Sequence, residues 1–183
     1  MRDAAYSLLT RENRLAAHRL AGRYLEQSGS ADPVRLAEHA QKGEEAERAV
    51  RFYIEAAKQA LASFDLGTAQ RLAQRALDCQ ARDEPFGIVH AIQACVAYLL
   101  GDFAAAYEHA LQAGSLTRFG SYWWAKTLSV HFHTSFMIHR FEQAWSIIPG
   151  FLQAEPEPDA RAAYLEVGVA LTTLMASVGM REP

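Results

Sequence analysis

Gly101-Asp102-Phe103-Ala104-Ala105-Ala106 reads as a tight turn followed by the opening of a helix, and the chain carries two further versions of it. They are Phe64-Asp65-Leu66-Gly67-Thr68-Ala69 and His139-Arg140-Phe141-Glu142-Gln143-Ala144. Each sets a turn about five residues before an alanine, and that alanine opens a set spaced i, i+4, i+7. The sets are Ala69/Ala73/Ala76, Ala106/Ala110/Ala113 and Ala144/Ile148/Phe151. Residues so spaced share one helix face, and small side chains on it let a second helix approach closely. The three anchor alanines lie 37 and 38 residues apart. Reuse of one unit at a nearly fixed period marks stacked repeats, not a single bundle.

The punctuation on either side of these turns predicts helices throughout. Thr10 precedes an apolar run through Leu15, Ala16, Leu20, Ala21, Tyr24 and Leu25, so a helix is predicted over 11–27. The stretch from Gln27 to Ala31 reads as a turn. Asp32-Pro33 then supplies an N-cap and a proline at the first helical position, and Gly43 closes that helix as a residue tolerant of positive φ. Further helices are predicted over 46–63, 67–80, 86–100, 103–115, 121–138, 141–154 and 159–178. Period-2 alternation never persists, so no strand is predicted. Long helices joined by short connections imply antiparallel neighbours.

The composition agrees. Half of the 183 residues are hydrophobic, enough for a sizeable core. A net charge of −3 gives no reason to expect nucleic acid or an acidic membrane as partner. Residues 1–82 hold 13 Lys/Arg and 11 Asp/Glu, and residues 83–183 hold 5 and 10, which reads as solvated helix faces or, alternatively, a partner-selecting acidic surface. The two cysteines, Cys79 and Cys95, sit in Ala-rich helical patterns without metal-type or redox-type spacing, pointing to a reducing, cytoplasmic setting. Met1–Asn13 has no continuous apolar core of a signal peptide. Ile88–Leu100 is too short to span a bilayer, and Ala162–Val178 is interrupted by Glu166.

The repeated turn and its alanines resemble the tetratricopeptide repeat, whose second helix carries such a set after a Gly/Asp-rich turn. Ala57 and Ala94 stand where that family has a small residue in the first helix, and Pro156 matches its closing proline. The period here exceeds the family's ~34. Phe132 and Phe151 replace two of its small residues. The resemblance covers residues 50–156 and implies a right-handed superhelical array of antiparallel helix pairs. A second likeness is carried by the runs Arg2–Thr10, His18–Glu26, Leu36–Ala40 and Ala49–Ala57. These are similar to the junction after the STAND-type ATPase module of bacterial multidomain Ser/Thr kinases and LuxR-type regulators. That likeness makes residues 1–45 junction helices, residues 46–183 one continuous solenoid, and the chain a fragment of a larger signalling protein.

Reactive constellations are missing from the sequence. It contains no GxxxxGK[ST], no GxSxG and no kinase catalytic loop. His131 and His133 point apart on a helix, and with His139 they make a poor metal set. Acidic Glu44/Glu45/Glu47 and Glu155/Glu157/Asp159 suit helix N-termini. Glu166 in an apolar helix reads as exposed, the alternative being a buried and paired carboxylate. No enzyme, cofactor or metal is therefore expected. Carrying over the family's groove positions gives Arg51, Ile54, Lys58 and Leu61, then Ile88, Ala91, Cys95 and Tyr98, then Lys126, Ser129, His133 and Phe136. Of these, Arg51, Lys58, Tyr98, Lys126, His133 and Phe136 mix cations with aromatic anchors and suit an extended peptide with a carboxylate, or a helix with acidic flanks. The expected function is a non-catalytic protein-interaction or sensor scaffold with a protein or peptide partner. The different-class alternative is a receptor for a small effector controlling a linked ATPase, bound near Tyr122, Trp123 and Trp124, which otherwise fill the core. The apolar last helix, Ala160–Val178, is expected to be covered by further repeats or by self-association.

Overall fold

The computed structural model describes residues 9–29 and 32–177. Among them no strand occurs, and the helices are α1 (Arg11–Gln27), α2 (Pro33–Lys42), α3 (Ala46–Ala62), α4 (Leu66–Asp78), α5 (Asp83–Leu99), α6 (Phe103–Gly114), α7 (Tyr122–Met137), α8 (Phe141–Ser146), α9 (Ile148–Gln153) and α10 (Arg161–Ser177). The Arg2–Leu8 part of the junction likeness, Ser30 and Ala31 of the first turn, and Val178 at the end of the last helix lie outside the described residues. The chain divides between Pro85 and Phe86 into two compact units.

Apart from shifts of one or two residues at helix ends, two differences from the sequence reading stand out, both because of proline. α5 starts at Asp83, ahead of Pro85, because a proline in the first turn has no backbone N–H that the helix needs. The helix predicted over 141–154 is broken at Ile147 into α8 and α9. Pro149 cannot donate to the carbonyl four residues back and its ring crowds it, so the longer helix cannot run through.

Five of the connections share one geometry. Glu44, Phe64, Gln80, Gly101 and His139 have φ of 56°, 60°, 65°, 81° and 60°. The residue after each sends its N–H back five residues: Glu45 to Ala40 at 2.9 Å, Asp65 to Ala60 at 2.9 Å, Ala81 to Ala76 at 3.2 Å, Asp102 to Ala97 at 2.9 Å and Arg140 to Ser135 at 2.7 Å. This left-handed closure satisfies carbonyls that a helix end leaves orphaned. Glu45, Asp65, Asp102 and Arg140 then serve as N-caps of the next helix. The Asp65 and Asp102 carboxylates accept from Thr68 N–H at 3.1 Å and Ala105 N–H at 3.0 Å. Gly43, expected to take the positive φ, has φ −85° and leaves that place to Glu44.

In the first unit α1, α2, α3 and α4 pack in chain order. Buried Ala40, Ala57, Ala69 and Ala73 bring the helices close around the fully buried Tyr53 and Leu72. The Tyr53 hydroxyl donates to Gln41 Oε1 at 2.7 Å, and the Arg75 guanidinium lies 5.2 Å above its ring. The apolar stripe expected on α1 is only half used. Leu15, Ala21 and Leu25 are half-buried, whereas Ala16, Leu20 and Tyr24 are exposed, because α1 turns His18 and Gly22 towards α2.

In the second unit α7 is the central helix, in contact with α6, α8 and α10. Ala94, Ala106, Ala110 and Val130 form one buried cluster. Phe132, Ala144, Ile147, Phe151, Val167 and Leu171 form another. Phe132, bulky where the repeat family is small, packs with Ala144 in that cluster. Gly120 (φ +79°) precedes α7, and a Cβ there would stand 2.7 Å from the Glu155 carbonyl oxygen. Only glycine meets both demands.

Each unit also holds a histidine pair. His18 and His39 bring their Nδ1 atoms to 3.1 Å, and His90 and His109 bring theirs to 3.0 Å. His18 is the eighth residue of α1 and His39 the seventh of α2. His90 and His109 occupy the same two places in α5 and α6. In α3 and α4 those places belong to Tyr53 and Leu72.

Candidate functional site

Ser121 starts α7 by accepting from the Trp124 N–H at 3.3 Å. Tyr122, Lys126, Ser129, His133 and Phe136 then follow at alternating steps of four and three, which puts them on one face. All five are half-buried, whereas Ala125, Val130 and Phe132 are buried. Four of these are the residues that the repeat resemblance placed in a groove, and α7 presents them as a single strip.

The strip is cationic at one end and aromatic at the other. Lys126 Nζ donates to Glu166 Oε2 of α10 at 2.5 Å and lies 5.8 Å from the centre of the Tyr122 ring. Burial works against the Lys126 ammonium, but the hydrogen bond to Glu166 and the attraction of Tyr122, Glu166 and Cys95 outweigh it and hold its pKa above the ordinary value. His133 Nδ1 is 2.8 Å from the Ser129 carbonyl oxygen. A carbonyl only accepts, so Nδ1 carries the proton and Nε2 is the acceptor of the neutral ring. The His133 ring lies 5.8 Å from Tyr98 of α5, and Tyr98 lies 5.9 Å from Phe103. Phe136 meets Trp145 edge-on at 5.5 Å and Phe141 at 5.3 Å. Tyr98, Lys126, His133 and Phe136 therefore belong to one surface of the second unit.

Arg51 and Lys58 belong to the first unit, both on α3. Arg51 Nη2 donates to Glu26 Oε1 at 2.7 Å, and its guanidinium covers the Phe52 ring at 4.5 Å. Lys58 Nζ is 3.9 Å from Glu55 Oε2. Two groove positions carried over from the family prove to be core: Ile54 is 6% exposed and Ala91 fully buried. Trp124 is also core, packed with Ala125, Ala154 and Ala163. Glu166 is exposed, and its Lys126 partner, 40 residues away, left no mark in the local pattern.

The remaining chemistry is quiet. His131 and His133 point to opposite sides of α7, towards Tyr107 and Tyr98. Among the described residues no group of three or more His, Cys, Asp or Glu is placed to hold a metal ion. Burial pushes the Cys95 thiol up to about 11, so it stays protonated and unreactive near neutrality. No described helix is long and apolar enough to cross a membrane. The histidine pairs escaped the sequence reading because their members lie 21 and 19 residues apart, on different helices.

No family model, no curated protein and no solved structure matches the chain.

Proposed function

We propose that the chain is a non-catalytic protein-interaction or sensor scaffold of tetratricopeptide-like helix pairs, serving as a regulatory arm of a bacterial signalling ATPase or kinase. The observation that carries this reading is the α7 strip: a half-buried cation, an imidazole and two aromatic rings set along one helix face. Such a strip suits a peptide that brings a carboxylate to Lys126 and an apolar side chain to Tyr98 and Phe136. Glu166 now occupies the carboxylate position, and an incoming acidic residue exchanges with it. Arg51 and Lys58 offer the same chemistry on α3.

A peptide-display selection against the chain, followed by titration of an enriched peptide, tests the proposal. Acidic peptides with an aromatic or aliphatic anchor are expected, with binding lost in Tyr98→Ala and in the charge-swapped double variant Lys126→Glu/Glu166→Lys. That double variant keeps the ion pair and so separates recognition from folding. Selected peptides that bind both variants as well as the parent chain would sink the idea. The exposed Leu165 and Val169 of α10 support self-association through that helix. A strictly monomeric chain by light scattering at high concentration overturns that part.

A further inference from the structure

Arg35, His39 and Lys42 follow one another at steps of four and three on α2, so they share a face. With Glu38 they line a cleft of about 210 Å³. Glu38, the acid that belongs to this face, is drawn to Arg75 of α4 at 3.3 Å. Arg35 and Lys42 have no carboxylate partner among the described residues. The charges that act on His39 are Lys42, Arg35 and Glu38, and His18 of α1 lies beside it. Arg19 of α1 is turned away, its Nε donating to the Gly43 carbonyl at 2.7 Å. Tyr53 of α3 adds a neutral contact, its hydroxyl donating to Gln41 of α2.

We infer that this cleft binds a tetrahedral dianionic oxyanion of the phosphoryl class, held by Arg35, Lys42 and a hydrogen bond from His39. Two cations on one face pair naturally with two negative charges. His39 completes the set through its partner. In the neutral pair one Nδ1–H donates to the other Nδ1. If His18 donates, His39 carries its own proton on Nε2, where it serves as a donor to an anion. An arriving dianion selects this tautomer, and its charge also favours uptake of a proton by the pair. Empty, the pair resists that proton: burial lowers both rings, and Lys42 acts against both, with His39 adding to the effect on His18 and Arg35 to that on His39. Glu38 acts in the opposite sense on His39. The site lies on the second helix of its hairpin and does not involve the α7 strip, so the two proposals stand or fall separately.

The second unit supplies the control. His90 and His109 share the 3.0 Å geometry, with Asp102 and Glu108 as the charges acting on His109. Imidazole proton resonances of the full chain are followed by NMR while inorganic phosphate is added at constant ionic strength. His18 and His39 are expected to shift saturably, His90 and His109 to stay in place, and Arg35→Gln or Lys42→Gln to weaken the response about tenfold each. Sulfate, a dianion throughout, is expected to bind several-fold more tightly near pH 5.5 than near pH 7.5. A phosphoserine peptide separates the sources: tighter binding than inorganic phosphate assigns the cleft to a phosphorylated partner, and equal binding to the free ion. The inference is overturned if chloride at matched ionic strength gives the same shifts, if all four histidines move together, or if the Arg35 and Lys42 variants bind unchanged. Circular dichroism of the variants, whose substituted side chains face solvent, confirms that they are folded.

Discussion

Acid should loosen the second unit through His90. Burial, with the neighbouring His109 adding to it, pushes the His90 imidazole from its ordinary 6.5 down to about 4. In the unfolded chain the ring takes a proton near 6.5, whereas the folded chain refuses it until about 4. The stability tied to His90 is therefore complete above pH 6.5 and is lost as the pH falls from 6.5 towards 4. A tenfold difference in proton affinity between the two states is worth ~1.4 kcal/mol, so the loss is about 1.4 kcal/mol at pH 5.5 and roughly 2–3 kcal/mol at pH 4.5. The ring is 6% exposed, so solvent screening takes little from this figure. His109 is lowered as well, chiefly by burial and against the pull of Asp102 and Glu108, and it acts in the same direction. The assay is urea unfolding of the parent chain and of His90→Gln at several pH values between 7.5 and 4.5. Gln retains hydrogen bonding but does not titrate. Its stability is expected to fall less steeply with acid, by about the amounts above, whatever its stability at neutral pH. Parallel curves for the two proteins would falsify the assignment.

Three other predictions follow from single positions. At Phe64, with φ +60° and 74% exposure, Gly should be more stable than Ala by about 1 kcal/mol, the reverse of their order inside a helix; thermal unfolding of the two variants decides it. Gly120→Ala should cost about 2–4 kcal/mol through positive φ together with the clash at Glu155, read as a lower urea midpoint. Phe132→Ala, at a fully buried ring, should cost about 3–5 kcal/mol and leave the unit prone to partial unfolding, seen as faster amide exchange along α7 and α8.

The helices are legible because their signals are local. Asp32-Pro33, Asp65, Asp102 and Ser121 mark starts that the structure places at or within a residue of the N-cap. The closing residue is where the sequence misleads. A glycine advertises positive φ, but Phe64, Gln80, His139 and Glu44 adopt it without any residue-type signal, because the five-back hydrogen bond and the next N-cap fix the turn from both sides. Pro149 is plain in the sequence, yet the apolar periodicity around it argues for one continuous helix. Local covalent geometry wins there, as it does whenever a proline falls well past the first turn.

The candidate strip and the histidine pairs show where local reading stops and register begins. Lys126, Ser129, His133 and Phe136 can be placed together from spacing, because one helix suffices to align them. No spacing rule joins His90 to His109. Yet the small residues that let the helices approach also set which positions face each other. The eighth residue of the first helix and the seventh of the second are the buried Tyr53 and Leu72 in one hairpin, and histidine pairs in two others. Two imidazoles at about 3 Å share one hydrogen bond, so a polar couple can occupy a place that elsewhere is apolar with one donor and one acceptor paired between them. In the first three hairpins these places are found by counting from the helix starts. The difference between the pairs then lies in what surrounds them: cations and a cleft for His18–His39, and the Phe86 ring with the carboxylates of Asp102 and Glu108 for His90–His109. The same couple is thereby set to respond to an anion in the first unit and to acid alone in the second.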